Sequence, residues 1–147
     1  MNRRDALKAV LALAVTTPIS SSLLAQAEEK NKSRQPAIRV TGPPDKKQVT
    51  VKVDGVDYGK YRIVLYICLS RGGGQWYVKP YGNAKKTKIG SNGKTKITYN
   101  TYSSDKNTKT FLVFLVKEKM KSSDIPETPY GYPFLLDGAV AYDVYER

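Results

Sequence analysis

The sequence predicts an all-β fold: an antiparallel, immunoglobulin-like β-sandwich of seven to eight strands. Several short segments alternate apolar and polar residues, as strands with one solvent-exposed face do. Two other segments are apolar on both faces, rich in β-branched and aromatic residues, and too short for typical helices. Beyond the first thirty residues no helical periodicity appears, and short strands divided by turn residues are typical of a sandwich.

The first clear strand of the predicted domain has one apolar and one polar face. The apolar side chains are Val49, Val51 and Val53, and the polar side chains are Thr50, Lys52 and Asp54. Asp54-Gly55 then favours a turn. Residues 61–70 and 110–116 are the two doubly apolar segments, and we predict that they form central strands.

Two further strands complete the predicted sandwich. Ile97 and Tyr99 share one face of the first, and Asn92-Gly93 just before it indicates a tight hairpin. The last strand places three side chains on one face: Val140, Tyr142 and Val144.

A long segment without regular structure lies between the predicted strand at 110–116 and the last strand. Residues 120–138 contain Pro126, Pro129 and Pro133, which strands and helices tolerate poorly. A loop of this length in a small domain is either functional or draped over the surface.

Residues 1–27 have the features of a signal peptide. An arginine pair precedes two moderately apolar stretches, and Ala25-Gln26-Ala27 has the small-x-small form of a cleavage site. Four residues match a twin-arginine export motif, although general secretion also fits: Arg3, Arg4, Leu7 and Lys8. We therefore expect a periplasmic or secreted protein with a flexible lead-in at 28–36 and a β-sandwich domain at 37–147.

Charge and composition restrict the partners and the chemistry. The net charge of +12 falls only to +10 when residues 1–27 are removed, so the predicted domain itself favours anionic partners. There is no His, and Cys68 is the only Cys, which leaves no disulfide and few ligands for transition metals. We expect no cofactor, no metal and no catalytic activity, because no general base or nucleophile motif is present.

A Gly-rich turn followed by Trp-aromatic-x-Lys-Pro is the most specific motif in the chain: Gly73, Gly74, Trp76, Tyr77, Lys79 and Pro80. With the later FLVFLVKEKM segment and its IPETP loop, the chain resembles small bacterial immunoglobulin-like sandwich domains of secreted proteins. Such domains often occur beside polysaccharide-active enzymes. The resemblance covers about residues 38–147 and implies a fold and a compartment.

Trp76 has two possible places, inside a core or on a ligand-binding face. A lone Trp in an all-β domain is typical of a core, so we expect Trp76 inside the sandwich and its neighbours Tyr77, Lys79 and Tyr81 outside. In the alternative, aromatic faces form platforms for sugar rings and lysines pair with acidic groups. The candidate ligand-binding residues are therefore Trp76, Tyr77, Lys79, Tyr81, Lys86 and Lys88.

Lysines cluster around the predicted hairpin, at positions 85, 86, 88, 94 and 96, with 106 and 109 further on. They form either an ordinary solvated surface or a surface for an anionic polymer. The sequence favours a non-catalytic binding module for anionic cell-envelope or extracellular polysaccharide. A structural module that contacts an envelope protein, or an electrostatic binder of nucleic acid, remains the alternative.

Overall fold

The computed structural model describes residues 35–71, 74–80, 84–131 and 134–147, in which eight strands form two antiparallel sheets. The strands are β1 Ala37–Val40, β2 Gln48–Asp54, β3 Tyr61–Cys68, β4 Trp76–Lys79, β5 Thr87–Lys88, β6 Lys94–Thr98, β7 Thr110–Lys117 and β8 Ala139–Glu146. The smaller sheet has the order β1-β2-β6. The larger has the order β4-β3-β7-β8, and β5 pairs with β3 as well. The predicted β-sandwich is confirmed.

Helical structure is confined to two single 3₁₀ turns among the described residues, Asp105–Asn107 and Ser122–Asp124. No helix in this part of the chain is long and apolar enough to cross a membrane. The predicted signal peptide and most of the predicted lead-in lie outside the described residues.

The first core lies between the two sheets. Val49, Val51 and Val53 of β2 are fully buried there, while the residues between them are partly exposed, as the period-two pattern predicted. Ile97 and Tyr99 are buried in the same core, which also agrees with the prediction. The larger sheet contributes the inward side chains of β3 and β7: Ile63, Leu65, Ile67, Phe111, Val113 and Leu115.

A second core lies on the opposite face of the larger sheet. It is covered by the described residues of segment 120–138, here called the Pro-rich segment. Ile125 and Leu136 of this segment pack against outward side chains of β3 and β7, such as Tyr66 and Phe114. The Tyr66 hydroxyl also donates a hydrogen bond to the carbonyl of Pro126 at 2.6 Å. The segment is therefore a structural cover, and β3 and β7 are apolar on both faces because both faces are buried.

The turn at Asn92-Gly93 forms, but the predicted hairpin is wrong. The chain leaves β5 in the larger sheet and enters β6 in the smaller sheet, so these two strands do not pair with each other. Gly93 has φ +76°, and an added Cβ would lie 2.5 Å from the carbonyl oxygen of Val53. Glycine is needed here because the chain crosses between the sheets in a conformation that L side chains rarely adopt.

The last strand contains a β-bulge that the alternation did not indicate. Tyr142 and Val144 share the outer face of the larger sheet, opposite Phe114 and Leu112. The register shifts between Leu115 and Val116, so that Val140 is an extra residue and does not continue the face.

Candidate functional site

Trp76 lies in the second core and is fully buried. Its indole N–H donates to the carbonyl of Gly131 at 2.5 Å, and its backbone N–H donates to the carbonyl of Pro129 at 2.9 Å. The core interpretation is confirmed, although this core lies under the Pro-rich segment rather than between the sheets. Inclusion of Trp76 among the ligand-contacting residues is wrong, since its ring is covered.

The outer edge of β4 is occupied by the same Pro-rich segment. Val78 donates its backbone N–H to the carbonyl of Glu127 at 3.1 Å, and Gln75 forms an isolated antiparallel bridge with Tyr130. Tyr77 points to the other face of β4, is half-buried and packs against the first core. Only part of its ring is therefore available to a ligand.

Lys79 is buried, so the expectation that it lies on an exposed face is wrong. Its side chain is only 2% exposed, and its Nζ lies 2.6 Å from Oδ2 of Asp105. Nζ also donates to Oγ1 of Thr101 at 3.0 Å and lies 4.7 Å from the ring centroid of Tyr102. These contacts come from the β6–β7 connection, which the sequence did not place beside β4.

Asp105 is the partner that sequence reasoning missed. Its carboxylate also accepts hydrogen bonds from the backbone N–H groups of Thr101 and Tyr102, at 3.0 and 2.9 Å. Desolvation raises the pKa of the Asp105 carboxyl, but the Lys79 ammonium and these two N–H groups outweigh it and hold that pKa below its ordinary value. The sequence held one signal for this residue, a Ser-Ser-Asp run in a short polar connection. Asp favours such turns because its side chain hydrogen-bonds to nearby backbone groups.

Beside this ion pair lies a cleft of about 350 Å³, here called the tyrosine cleft. The described residues that line it are Leu69, Tyr77, Lys79, Tyr102, Ser104, Asp105 and Thr128. Tyr102 is 58% exposed and is the most exposed aromatic residue of this described lining. The structure thus brings together Tyr77 and Lys79 of the predicted set, while Tyr81 lies outside the described residues.

Two of the predicted surface lysines hold the Pro-rich segment in place. Lys85 is buried, and its Nζ donates to the carbonyl of Ile125 at 2.9 Å. Lys86 donates to the carbonyl of Glu118 at 2.7 Å and to that of Met120. Both ammonium groups are bonded to backbone carbonyls. Lys85 and Lys86 therefore do not share a surface role with the other lysines of the predicted cluster.

The other lysines of the β5–β6 region are exposed and adjoin the smaller sheet. Lys94 and Lys96 lie on the outer face of β6, and Lys88 lies on β5, where its carbonyl accepts a hydrogen bond from Thr95. The outer face of the smaller sheet also carries Arg39 of β1 and Lys52 of β2. We call the surface formed by Arg39, Lys52, Lys94 and Lys96 the basic face.

Three of these cations stand in one row across the sheet. Arg39 is the direct cross-strand partner of Lys52, and Lys52 is the direct partner of Lys94. Adjacent strands are about 4.8 Å apart, so the row spans about 10 Å at the backbone. The acidic residue on this face is Asp54, whose Oδ1 lies 3.5 Å from Nζ of Lys52. The alternation put Lys52 on an exposed face, but the row itself follows only from strand register.

Among the described residues, no group of three or more His, Cys, Asp or Glu side chains is placed to hold a metal ion. No protein-family model matches the chain, and no curated protein or solved structure is significantly similar to it.

Proposed function

We propose that this protein is an exported, non-catalytic binding module that contacts anionic cell-envelope or extracellular polysaccharide through the basic face. The observation that carries the proposal is the row of Arg39, Lys52 and Lys94 in direct cross-strand register. Like charges directly opposite each other destabilise a sheet, so this arrangement has a cost in the free protein. An anionic polymer lying across the strands would remove that cost.

The shape of the basic face supports an extended polymer rather than a duplex. A face of three strands does not enter the major groove of DNA, which admits a helix or a two-stranded ribbon. The outward residues of β1, β2 and β6 are small, polar or charged, with no aromatic ring among them: Ala37, Arg39, Gln48, Thr50, Lys52, Asp54, Lys94, Lys96 and Thr98. Single-stranded nucleic acid is usually held by aromatic stacking in addition to charge.

Threonine and glutamine side chains beside the cations suit a polysaccharide, with Thr98 exposed and Gln48 and Thr50 partly exposed. Thr50 is the cross-strand partner of Lys96, and Gln48 is the partner of Thr98. Hydroxyl and amide groups of this kind hydrogen-bond to sugar hydroxyls, while the cations pair with carboxylates or sulfates. The predicted signal peptide favours the same partner, because acidic polysaccharides are abundant outside the cytoplasm.

The test is retention of the purified full chain on immobilised polygalacturonate, neutral dextran, and single- and double-stranded DNA, eluted with salt. The double variant Lys94→Glu/Lys96→Glu should elute from polygalacturonate at much lower salt than the unmodified chain. The matched control is Lys117→Glu/Lys119→Glu, which makes the same change in net charge at exposed positions on and after β7. Equal losses in both variants would show attraction by net charge alone and overturn the proposal.

The same columns separate the alternatives. If DNA retains the chain more strongly than polygalacturonate at equal salt, and the basic face is required, the protein is a nucleic-acid binder. If no column retains it, the proposal is overturned, and contact with another protein is the candidate left to test.

A further inference from the structure

The tyrosine cleft combines features of a small-ligand site that the basic face does not share. Its volume of about 350 Å³ lies at the lower end of the range typical of small-molecule sites. A cavity of this size admits a ligand of one or two rings and is too small for a folded partner. Its lining comes from three separated parts of the chain, β3–β4, the β6–β7 connection and the Pro-rich segment.

The accessible lining offers both apolar and hydrogen-bonding surface. Tyr102 is 58% exposed and Leu69 is 36% exposed, and the half-buried Tyr77 ring lies on the same lining. Ser104 and Thr128 add hydroxyl groups that both donate and accept hydrogen bonds. A ligand that matches this lining has an apolar ring face and hydroxyl groups at its edge.

The two charged residues of the described lining neutralise each other. The Lys79 ammonium and the Asp105 carboxylate form an ion pair at 2.6 Å, so neither offers a net charge to a ligand. The hydrogen bonds that described side chains and N–H groups make to this carboxylate all end on Oδ2. Asp105 lies on the cleft lining and Oδ1 accepts none of these bonds, so its carboxylate retains capacity to accept a further hydrogen bond.

Two contacts restrain Tyr102, one at its ring and one at its backbone. Lys79 Nζ lies 4.7 Å from the centroid of Tyr102, and the Tyr102 backbone N–H is bonded to Asp105 at 2.9 Å. A ring that is fixed in the free protein loses little conformational freedom on binding, which favours affinity. The ring thus acts as a preformed platform.

We infer that the tyrosine cleft binds a neutral pyranose sugar, with the sugar's apolar face on Tyr102 and its hydroxyls hydrogen-bonded to Asp105, Ser104 and Thr128. A pyranose carries axial C–H groups on its faces and hydroxyls around its edge. The lining complements both, with an aromatic ring for the C–H groups and hydrogen-bonding side chains for the hydroxyls. The described lining residues carry no net charge, because Lys79 and Asp105 neutralise each other, and this favours a neutral sugar over an acidic one. This site is separate from the basic face and does not depend on it.

The experiment is a titration of the ¹⁵N-labelled full chain with four neutral disaccharides: cellobiose, maltose, lactose and N,N′-diacetylchitobiose. Saturable shifts of the backbone amides of Tyr77, Tyr102 and Asp105 with at least one of them are expected. Tyr102→Ala should weaken that binding about tenfold or more, whereas Tyr102→Phe should retain most of it because the ring remains. The matched control is Tyr130→Ala, since Tyr130 is 79% exposed and is not part of the cleft lining.

Two results would overturn the inference. One is the absence of shifts around the cleft with all four disaccharides up to their solubility limits. The other is equal affinity in the unmodified chain and in Tyr102→Ala. The double variant Lys94→Glu/Lys96→Glu should leave sugar binding unchanged, so failure of this site and failure of the basic face are distinguishable.

Discussion

Lys79 on β4 donates a hydrogen bond of 2.6 Å to Asp105, which lies 26 residues later in the β6–β7 connection. Both residues are almost completely buried, so the pair fixes this connection against the edge of the larger sheet. Removing one member of a buried ion pair leaves the other without its partner. Such a change commonly costs about 3–5 kcal/mol.

We therefore expect Lys79→Met to lower the free energy of unfolding by about 3–5 kcal/mol in urea titrations. Lys88→Met is the matched control, because Lys88 is exposed on β5, and it should change stability by less than about 0.5 kcal/mol. Equal effects of the two substitutions would show that the ion pair does not stabilise the fold.

The same pair predicts a dependence of stability on pH. The pKa of Asp105 is lowered in the folded state, so the folded chain holds its proton less tightly than the unfolded chain, whose carboxyl has a pKa of about 3.9. The lowered pKa of Asp105 adds to the free energy of unfolding. This contribution is fully present above the unfolded pKa and is lost as the pH falls through the folded pKa. Acidification below about pH 4 should therefore destabilise the protein.

Asp105→Asn should be less stable than the unmodified chain at neutral pH but should lose less stability on acidification. Urea titrations at a series of pH values between neutrality and acid provide the measurement. Some dependence should remain, because the pKa of Asp45 is also lowered, by hydrogen bonds from the backbone N–H groups of Lys47 and Gln48. If the free energy of unfolding fell equally with pH in both proteins, Asp105 would not be a source of the pH dependence.

The Pro-rich segment is expected to contribute to stability as part of the second core. Ile125 is 1% exposed, and its truncation to Ala should cost about 2–5 kcal/mol because a cavity would remain above β3 and β7. Leu135→Ala, in the same segment but 67% exposed, is the control and should have little effect. Thermal unfolding of both variants tests this, and similar small shifts would mean that the segment is only draped over the sheet.

Local patterns were sufficient to predict the sandwich and most of the first core. The alternation around Val51 and the double apolarity of residues 110–116 depend only on neighbours in sequence, and each was found as predicted. The cover over Trp76 was not predictable in the same way. It depends on a segment without periodicity whose backbone carbonyls accept hydrogen bonds from β4, and every residue type, proline included, carries such a carbonyl.

The candidate site was predicted less well because it depends on contacts distant in sequence. Lys79 was expected on the exposed face of β4, because side chains alternate along a strand and Trp76 was expected in the core. Lys79 is instead buried against Asp105, which comes from a connection whose position no local pattern gives. Lys52 and Lys94 each had an exposed pattern, and only the register of β2 and β6 places them opposite each other. Sequence spacing therefore identified the exposed lysines of the strands but not their common row.

Charge reversal at Lys94 should stabilise the protein and at the same time weaken its retention on polygalacturonate. Lys94 lies directly opposite Lys52, so Lys94→Glu replaces a like-charge pair with an attractive one, an effect of about 0.2–1 kcal/mol on the free energy of unfolding. The gain should shrink in high salt, because exposed charges are screened.

Lys119→Glu, at an exposed position in the segment after β7, is the control and should leave both properties nearly unchanged. Paired urea titrations at low and high salt, together with salt elution from the column, measure the two effects. A fall in stability on Lys94→Glu would mean that the row is not repulsive in the free protein, and the structural argument for a polyanion at this face would fail with it.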